Sequence, residues 1–395
     1  MISAFLLVVV LVVGLLHLYL WTRLVRDTTR PGRWRRIGTV LIIALAVLAP
    51  ATVAATRALP LDSQRLLAWP GYLWLSVMFL AFTVLLVLEI PRLALRPWVR
   101  RRKAVVAAEP EPAVVDSPPG VADPSRRLLL ARSAAIVAGL TAVGATAVGT
   151  RTAMGPPTVV RRQITLRKLP RRMDGFRIAV VSDIHLGPLL GRGHTQRIVD
   201  TINRLDADLV TVVGDLVDGS VAELGSAARP LSGLRSRRGS FFVTGNHEYF
   251  SGYQEWIPEI ESYGLSVLRN ERVEIDGLDL AGVNDVTGAQ YGDGPDFGLA
   301  LADRDPAKPV VLMAHQPIQV LDAQHHGVDL QLSGHTHGGQ IFPFSYLVRL
   351  QQPVIAGYAR FGDTQLYVTR GAGFWGPPVR VGAPPDITLI ELRSA

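Results

Sequence analysis

The sequence contains no cysteine among its 395 residues. Disulfides, thiolate-ligated metals and a cysteine nucleophile are therefore excluded, while the redox compartment stays open. Charge is scarce as well: 19 % of residues are charged, against about 25 % in a soluble globular domain. Hydrophobic residues make up 48 %, so the deficit points to membrane segments. The net charge of +8 gathers at Arg23–Arg36, Arg92–Lys103 and Arg161–Arg172. The first two runs flank apolar stretches, a mark of membrane topology. They lack the aromatic interleaving that stacks single-stranded nucleic acid, and no nucleic-acid partner is expected.

Four apolar stretches approach the ~20 helical residues that a bilayer core requires: residues 2–21, 37–55, 71–90 and 128–149. Pro70 and Pro91 bracket the third, and Arg132 and Ser133 interrupt the fourth, which is rich in Ala, Gly and Thr. A buried core helix is the plain alternative for any one of them. Three such stretches before any globular pattern argue against it. The basic flanks place Arg23–Arg36 and Arg92–Lys103 in the cytoplasm and the nearly neutral Thr56–Trp69 outside. Residues 104–127, rich in Pro, Ala and acids, read as a flexible linker. The fourth stretch, opening Ser125-Arg126-Arg127, reads either as an ordinary fourth crossing or as a twin-arginine-like signal anchor. Both readings make this a multi-pass cell-membrane protein with Gly155 onward extracytoplasmic. Were Arg132 to hold the stretch at the interface, the domain would stay inside. His17 is unusual for lipid and is expected to face a helix partner.

From Gly155 the pattern changes to short apolar runs: Arg177–Ser182, Leu209–Val213, Phe241–Thr244, Leu278–Val283, Val310–Ala314 and Leu330–Ser333. Gln365–Thr369 and Ile387–Leu392 add two more. These read as strands, and Gly193–Leu205, with apolar Ile198, Val199, Ile202 and Leu205, reads as a helix. Residues 155–395 are therefore expected to form a layered α/β domain, a β-sandwich flanked by helices, behind N-terminal transmembrane helices.

The strand-like runs end on chemistry. Asp183-Ile184-His185 follows the first, Gly214-Asp215-Leu216-Val217-Asp218 the second and Gly245-Asn246-His247-Glu248 the third. His315 and Gly334-His335-Thr336-His337 follow two later ones. Ligands of layered α/β folds bind at that rim of the sheet, and residues two apart on extended chain point the same way. Carboxylate and amide oxygens mixed with imidazoles suit divalent ions of hard or borderline character. Seven such donors exceed one tetrahedral ion and fit two sharing a carboxylate, the arrangement used in phosphoester hydrolysis. A single Asp or His at a strand end is more often structural. Here five of the nine histidines fall in these blocks, which favours a metal site. Asp218 either orients a ligand histidine or closes a turn, and Glu248 either supports the site or starts a helix. His194, His325 and His326 fall outside the blocks and are expected at the surface. Arg370 and Arg380, flanking GAGFWGPPV, are candidates for gripping a substrate phosphate, with a structural loop as the alternative.

In series, D-x-H, G-D-x-x-D, G-N-H-E, an isolated H and G-H-x-H resemble the calcineurin-like metallophosphoesterase superfamily. The flanks GHTHGGQI and RGAGFWGPPVRVGAPPDITLIEL are most similar to its transmembrane-anchored branch. The resemblance implies one metal on Asp183, His185 and His337 and a second on Asn246, His315 and His335. Asp215 would bridge them, and His247 would assist the leaving group. The cofactor expected is a pair of divalent ions, Mn2+ first, with Fe, Zn or Ni as alternatives, that lets hydroxide exist near neutral pH. The activity implied is that of a phosphodiesterase or pyrophosphohydrolase. The membrane anchor directs attention to a phospholipid or lipid-linked diphosphate as substrate. A catalytically weak membrane metal sensor or scaffold is the alternative, disfavoured by the intact His247.

Overall fold

The structure is a computed structural model that describes residues 2–95, 97 and 124–395. All four apolar stretches are helical. Helix α1 (Ile2–Leu20) continues through a π-helical stretch, Trp21–Arg26. It is followed by α2 (Arg33–Ala58), α3 (Leu61–Ala94) and α4 (Pro124–Met154). Among the described residues, three segments, Arg33–Thr56, Ser63–Ala94 and Arg126–Met154, are long and apolar enough to cross a membrane. Helix α3 runs through Pro70 and Pro91 rather than stopping at them. Each proline removes one backbone hydrogen bond, a loss that membrane helices absorb more readily than soluble ones. Residues 104–123 of the expected linker lie outside the described residues. Pro124–Arg127 belongs to α4, opened by a proline whose missing N–H costs nothing in a first turn.

The chain divides into two compact units, Met1–Ala58 with Trp69–Ala147, and Leu59–Ala68 with Val148–Ala395. In the first, His17 is buried and does face a helix partner: Trp74 Nε1–H donates to its Nε2 at 3.0 Å. Ion pairs Arg23–Glu89 (2.8 Å) and Arg92–Asp27 (3.2 Å) tie the ends of α1 and α3 together. Arg132, the charge interrupting the fourth stretch, donates to the Thr28 carbonyl at 3.2 Å.

The second unit is a two-sheet sandwich. Its strands are β1 (Thr158–Leu166), β2 (Arg177–Val181), β3 (Leu209–Val213), β4 (Ser240–Val243), β5 (Leu265–Val267) and β6 (Glu271–Ile275). They continue with β7 (Leu278–Gly282), β8 (Val310–Met313), β9 (Leu330–Ser333), β10 (Gly357–Phe361), β11 (Thr364–Val368) and β12 (Asp386–Ser394). One sheet has the order β1-β12-β2-β3-β4-β5 and the other β10-β11-β9-β8-β7-β6. Strands β2 to β5 are mutually parallel, as are β7, β8, β9 and β11. Parallel strands covered on both faces read as unbroken apolar runs, and side-chain alternation explains why. Ile178 and Val180 of β2 join Val311, Met313, Leu330 and Leu332 between the sheets. Ala179 and Val181 point the other way, with Ile198 and Ile202 of the helix Arg192–Asn203. Phe297 and Ala300 cover the outer face of the second sheet beside Val310 and Leu312.

Candidate metal centre

The carboxyl ends of β2, β3 and β4 on one sheet and of β8 and β9 on the other converge on one rim. Backbone pairing continues past the strands there. Asp183 N–H donates to the Gly214 carbonyl at 3.0 Å, and His185 N–H to the Asp215 carbonyl at 3.1 Å. Asp183, His185, Asp215, His335 and His337 all have φ between 50° and 71°. L-residues avoid this left-handed region, Asp, Asn and His least, and its clustering at one site is a feature of functional rims. Close approach is also enforced by glycine. A Cβ on Gly214 would lie 2.6 Å from Gly245 N and 2.7 Å from His315 Nδ1.

Seven side chains meet. Three overlapping groups, Asp183–His185–His337, His185–Asp215–His247 and Asp215–His315–His335, each keep their ligand atoms within 4.8 Å of one another. His185 Nε2 lies 3.0 Å from His337 Nε2 and 3.7 Å from Asp215 Oδ2. His315 Nε2 is 3.1 Å from the same Asp215 oxygen, and His335 Nδ1 is 2.9 Å from Asn246 Oδ1. Every metal ligand expected from the sequence is thus brought to this rim.

The surroundings fit divalent cations. His315 Nδ1 donates to the Val213 carbonyl at 2.7 Å. Its Nε2 is thereby aimed into the centre, 3.1 Å from Asp215 Oδ2; burial alone would lower the pKa of the ring, but the Asp215 charge raises it well above the usual value, so a positive charge already faces that carboxylate. His185 Nδ1 meets Asp218 Oδ1 at 2.9 Å, which aims its Nε2 lone pair at Asp215 in the same way. Asp183 and Asp215 are buried, and removing carboxylates from water costs several kcal/mol each unless cations face them. Burial pushes the Asp183 carboxyl up. Asp215 is also driven up by burial, but the charges of His315 and His247 outweigh it and hold the group well below the usual range. Burial, with the charge on His315 next, lowers His335 to about 3. Burial and the neighbouring Arg380 keep the His337 ring unprotonated.

Two neighbours organise the centre. Asp218 Oδ1 receives His185 Nδ1 at 2.9 Å and His247 Nδ1 at 2.6 Å, so one carboxylate orients both rings. Burial alone would lower the pKa of His247. The charges of Asp215 and Asp218 and the bond to Asp218 overcome this and raise it to about 9. Its side chain keeps 13 % exposure, between the exposed Phe250 and Trp375, whose rings lie 5.6 and 5.7 Å away. Glu248 is fully buried, and its carboxylate accepts from the backbone N–H groups of Asp215 (2.9 Å), Leu216 (2.7 Å) and Gly245 (2.6 Å). It fastens the loop after β3 to the loop after β4.

The two arginine candidates are engaged by other groups. Arg370 pairs with Asp386 at 2.8 Å. Arg380 is 1 % exposed; its guanidinium donates to the carbonyls of His337 (2.8 Å), Arg370 (2.9 Å) and Gly373, and meets His337 Nδ1 at 3.0 Å. To grip a phosphate it would have to give these bonds up. His325 and His326 are exposed as expected. His194 is not: it is buried with neither ring nitrogen bonded, because it sits one turn before Ile198 on the helix face that packs inward. Burial lowers its pKa to about 3. Phe250 and Trp375 went unnoticed in the sequence; for Trp375 the aromatic pair in GAGFWGPP was the available signal, and for Phe250 its place three residues after His247.

Comparison with known proteins agrees with this geometry. Residues 176–339 match the family model described as calcineurin-like phosphoesterase. A Danio rerio transmembrane protein with metallophosphoesterase domain is 40 % identical over 254 residues, 61 % of this chain and 58 % of that protein. An uncharacterized metallophosphoesterase of Helicobacter pylori is 41 % identical over 239 residues, 60 % of this chain and 64 % of its own length. Another, from Aquifex aeolicus, is 34 % identical over 241 residues, covering 60 % of this chain and 92 % of that protein. The chain thus spans about three fifths of the length of the first two relatives.

Proposed function

The chain belongs to the calcineurin-like phosphoesterase family, and on that premise we propose that it is a membrane-anchored hydrolase of phosphodiesters or pyrophosphates with a dinuclear metal centre. The observation that carries this reading is the overlap of three ligand groups through His185 and Asp215. Asp183, His185 and His337 would hold one ion and Asn246, His315 and His335 the other, with Asp215 shared. A divalent pair, Mn2+ first, would supply Lewis acidity toward the phosphoryl oxygens and make hydroxide available near neutral pH.

The protein's own groups do the rest. Asp218 holds His247 by Nδ1, so that Nε2–H is the proton available for transfer. Water gives one proton to solvent to become hydroxide; as its oxygen bonds to phosphorus and the bond to the leaving oxygen breaks, the His247 Nε2 proton passes to that oxygen, and the ring then regains a proton from solvent. A pKa raised to about 9 keeps the proton in place at neutral pH. Glu248 holds Asp215 and Asn246 in register through the backbone. The apolar N-terminal helices support a lipid-linked phosphoester as substrate, and the basic runs Arg23–Arg36 and Arg92–Lys103 support an extracytoplasmic catalytic domain.

The test uses full-length protein in nanodiscs with Mn2+ and bis-p-nitrophenyl phosphate, comparing the parent with Asp215→Ala and His247→Ala. The parent is expected to turn over, and Asp215→Ala to lose at least about 100-fold. His247→Ala, which matters little for a nitrophenolate leaving group, is expected to lose much more on a phosphodiester with an alkyl leaving group. Equal rates in parent and Asp215→Ala would overturn the mechanism, and a parent inert on every phosphoester would favour the sensor reading.

A further inference from the structure

No Asp or Glu stands between Asp329 and Asp363, and the stretch Ile341–Leu350 carries a single charge, Arg349. Within it Phe342, Phe344, Tyr346, Leu347 and Leu350 are all exposed, Leu350 at 83 %. The short helix at its centre, Ser345–Val348, buries none of its residues. Scattered exposed apolar side chains are ordinary, but a contiguous cluster of this kind marks an interaction surface.

Two attachments indicate what that surface meets. The first leads to the metal centre. Gln340, three residues after the ligand His337, donates from Nε2 to the carbonyls of Trp375 and Pro377, both at 3.0 Å. It also accepts from Trp375 N–H at 3.1 Å. Trp375 is itself 56 % exposed and packs edge-on to His247. The apolar edge is therefore continuous with the rim where a leaving group would sit.

The second attachment leads to an apolar helix. Phe342 N–H donates to the Val381 carbonyl at 2.9 Å, and the adjoining Arg380 N–H donates to the Gly149 carbonyl at 2.9 Å. Gly149 has no room for a side chain: a Cβ there would lie 2.6 Å from Val379 Cγ1. All these residues belong to the second unit. Gly149 also lies in the last turns of the stretch Arg126–Met154, which is long and apolar enough to cross a membrane. The exposed segment is thus fixed beside the point where the chain leaves that helix.

We propose that Phe342–Leu350 with Trp375 is a lipid-engaging edge, which seats in the bilayer interface and presents lipid-borne phosphoesters to the metal centre. The substrate half of this statement rests on the hydrolase reading above; the surface half does not. Its chemistry suits the interface. Aromatic and aliphatic side chains settle at the headgroup boundary, Arg349 reaches lipid phosphate, and the lack of acids avoids repulsion from anionic lipids.

The absence of cysteine makes the test direct. Tyr346→Cys, Leu350→Cys and, as control, the exposed Asp363→Cys are each labelled with an environment-sensitive fluorophore. The full chain is then reconstituted in vesicles of equal parts phosphatidylcholine and phosphatidylglycerol. Labels at 346 and 350 are expected to shift to the blue and to be quenched by nitroxide lipids roughly threefold more than the label at 363. Aqueous iodide is expected to show the reverse order. Labels at 346 and 350 that respond to iodide like 363 and ignore lipid nitroxides would overturn the surface. So would a shift that grows with protein-to-lipid ratio, which would identify a second copy as the occupant. The variant Tyr346→Ser/Leu347→Ser/Leu350→Ser is expected to keep its rate on bis-p-nitrophenyl phosphate within about twofold. On a phosphodiester lipid in vesicles it is expected to lose on the order of tenfold. Equal loss on both substrates overturns the presenting role. A parent inactive on both sinks the hydrolase reading, while the quenching result still decides the surface.

Discussion

Asp218→Asn isolates one charge at the centre while leaving its shape. The side chain stays isosteric, and its Oδ1 can still accept from His185 and His247, which sit 2.9 and 2.6 Å away. What disappears is the negative charge that favours protonated His247. The sign follows directly: with less negative charge nearby, the protonated ring is less stable, its pKa falls and the alkaline limb of the rate profile moves to lower pH. A neighbouring opposite charge is worth about 1–3 pKa units, or ~1.4–4 kcal/mol. Asp215, the larger of the two charges acting on His247, remains, so the lower part of that range applies. The limb is expected to move to lower pH by about one unit or more. The assay is a pH–rate profile in nanodiscs at saturating Mn2+, which offsets any weakening of metal binding through His185. Two substrates are compared. A phosphodiester with an alkyl leaving group needs the His247 proton; a p-nitrophenyl ester needs it little. At pH 8 the variant is expected to lose on the order of tenfold on the alkyl ester and much less on the nitrophenyl ester. An unmoved limb on the alkyl ester would refute the assignment of Asp218 as the group that holds the proton.

Gly245→Ala would place a Cβ 2.6 Å from Asp215 N and against the Asp215 carboxylate. Metal affinity is expected to fall on the order of tenfold or more, read by elemental analysis at graded Mn2+; full occupancy at parental concentrations would contradict the close packing described. Glu248→Gln replaces a carboxylate that accepts three backbone N–H groups with an amide that turns a donor toward them. Leaving one or two of these unsatisfied costs about 1–3 kcal/mol each. The melting temperature of the metal-free protein is expected to drop by roughly 3–10 °C, measured by intrinsic fluorescence, and an unchanged midpoint would show that the clamp contributes nothing.

Much of the catalytic unit was legible because its parallel strands are buried on both faces. Leu209–Val213 and Leu330–Ser333 coincide with strands end for end, and the other six runs differ by a residue or two. The candidate ligands were legible because Asp and His directly after an apolar run stand out. Edge strands were not. Thr158–Leu166 is half exposed and carries two arginines, so it reads as a basic run. It becomes a strand by pairing with β12, more than 200 residues away. The dual role of Asp218 was hidden for a related reason. The sequence leaves Asp218 either orienting a ligand histidine or closing a turn, and only the folded rim shows both rings on one oxygen. The setting of Arg380 was hidden: an arginine among glycines suggests an accessible fork, whereas its partners are backbone carbonyls, which leave no trace in side-chain identity, and His337 Nδ1, 43 residues away.

The candidate ligands come from both halves of the sandwich: Asp183, His185, Asp215 and Asn246 follow strands of one sheet, His315, His335 and His337 strands of the other. A cation pair shared among them would therefore act as a clasp across the open end of two stacked plates. Metal occupancy and resistance of that end to splaying would then be a single thermodynamic quantity. Under metal starvation the rim would loosen first, while the layer between the plates, held by Val311, Met313, Leu330 and Leu332, kept the fold closed and ready to reload.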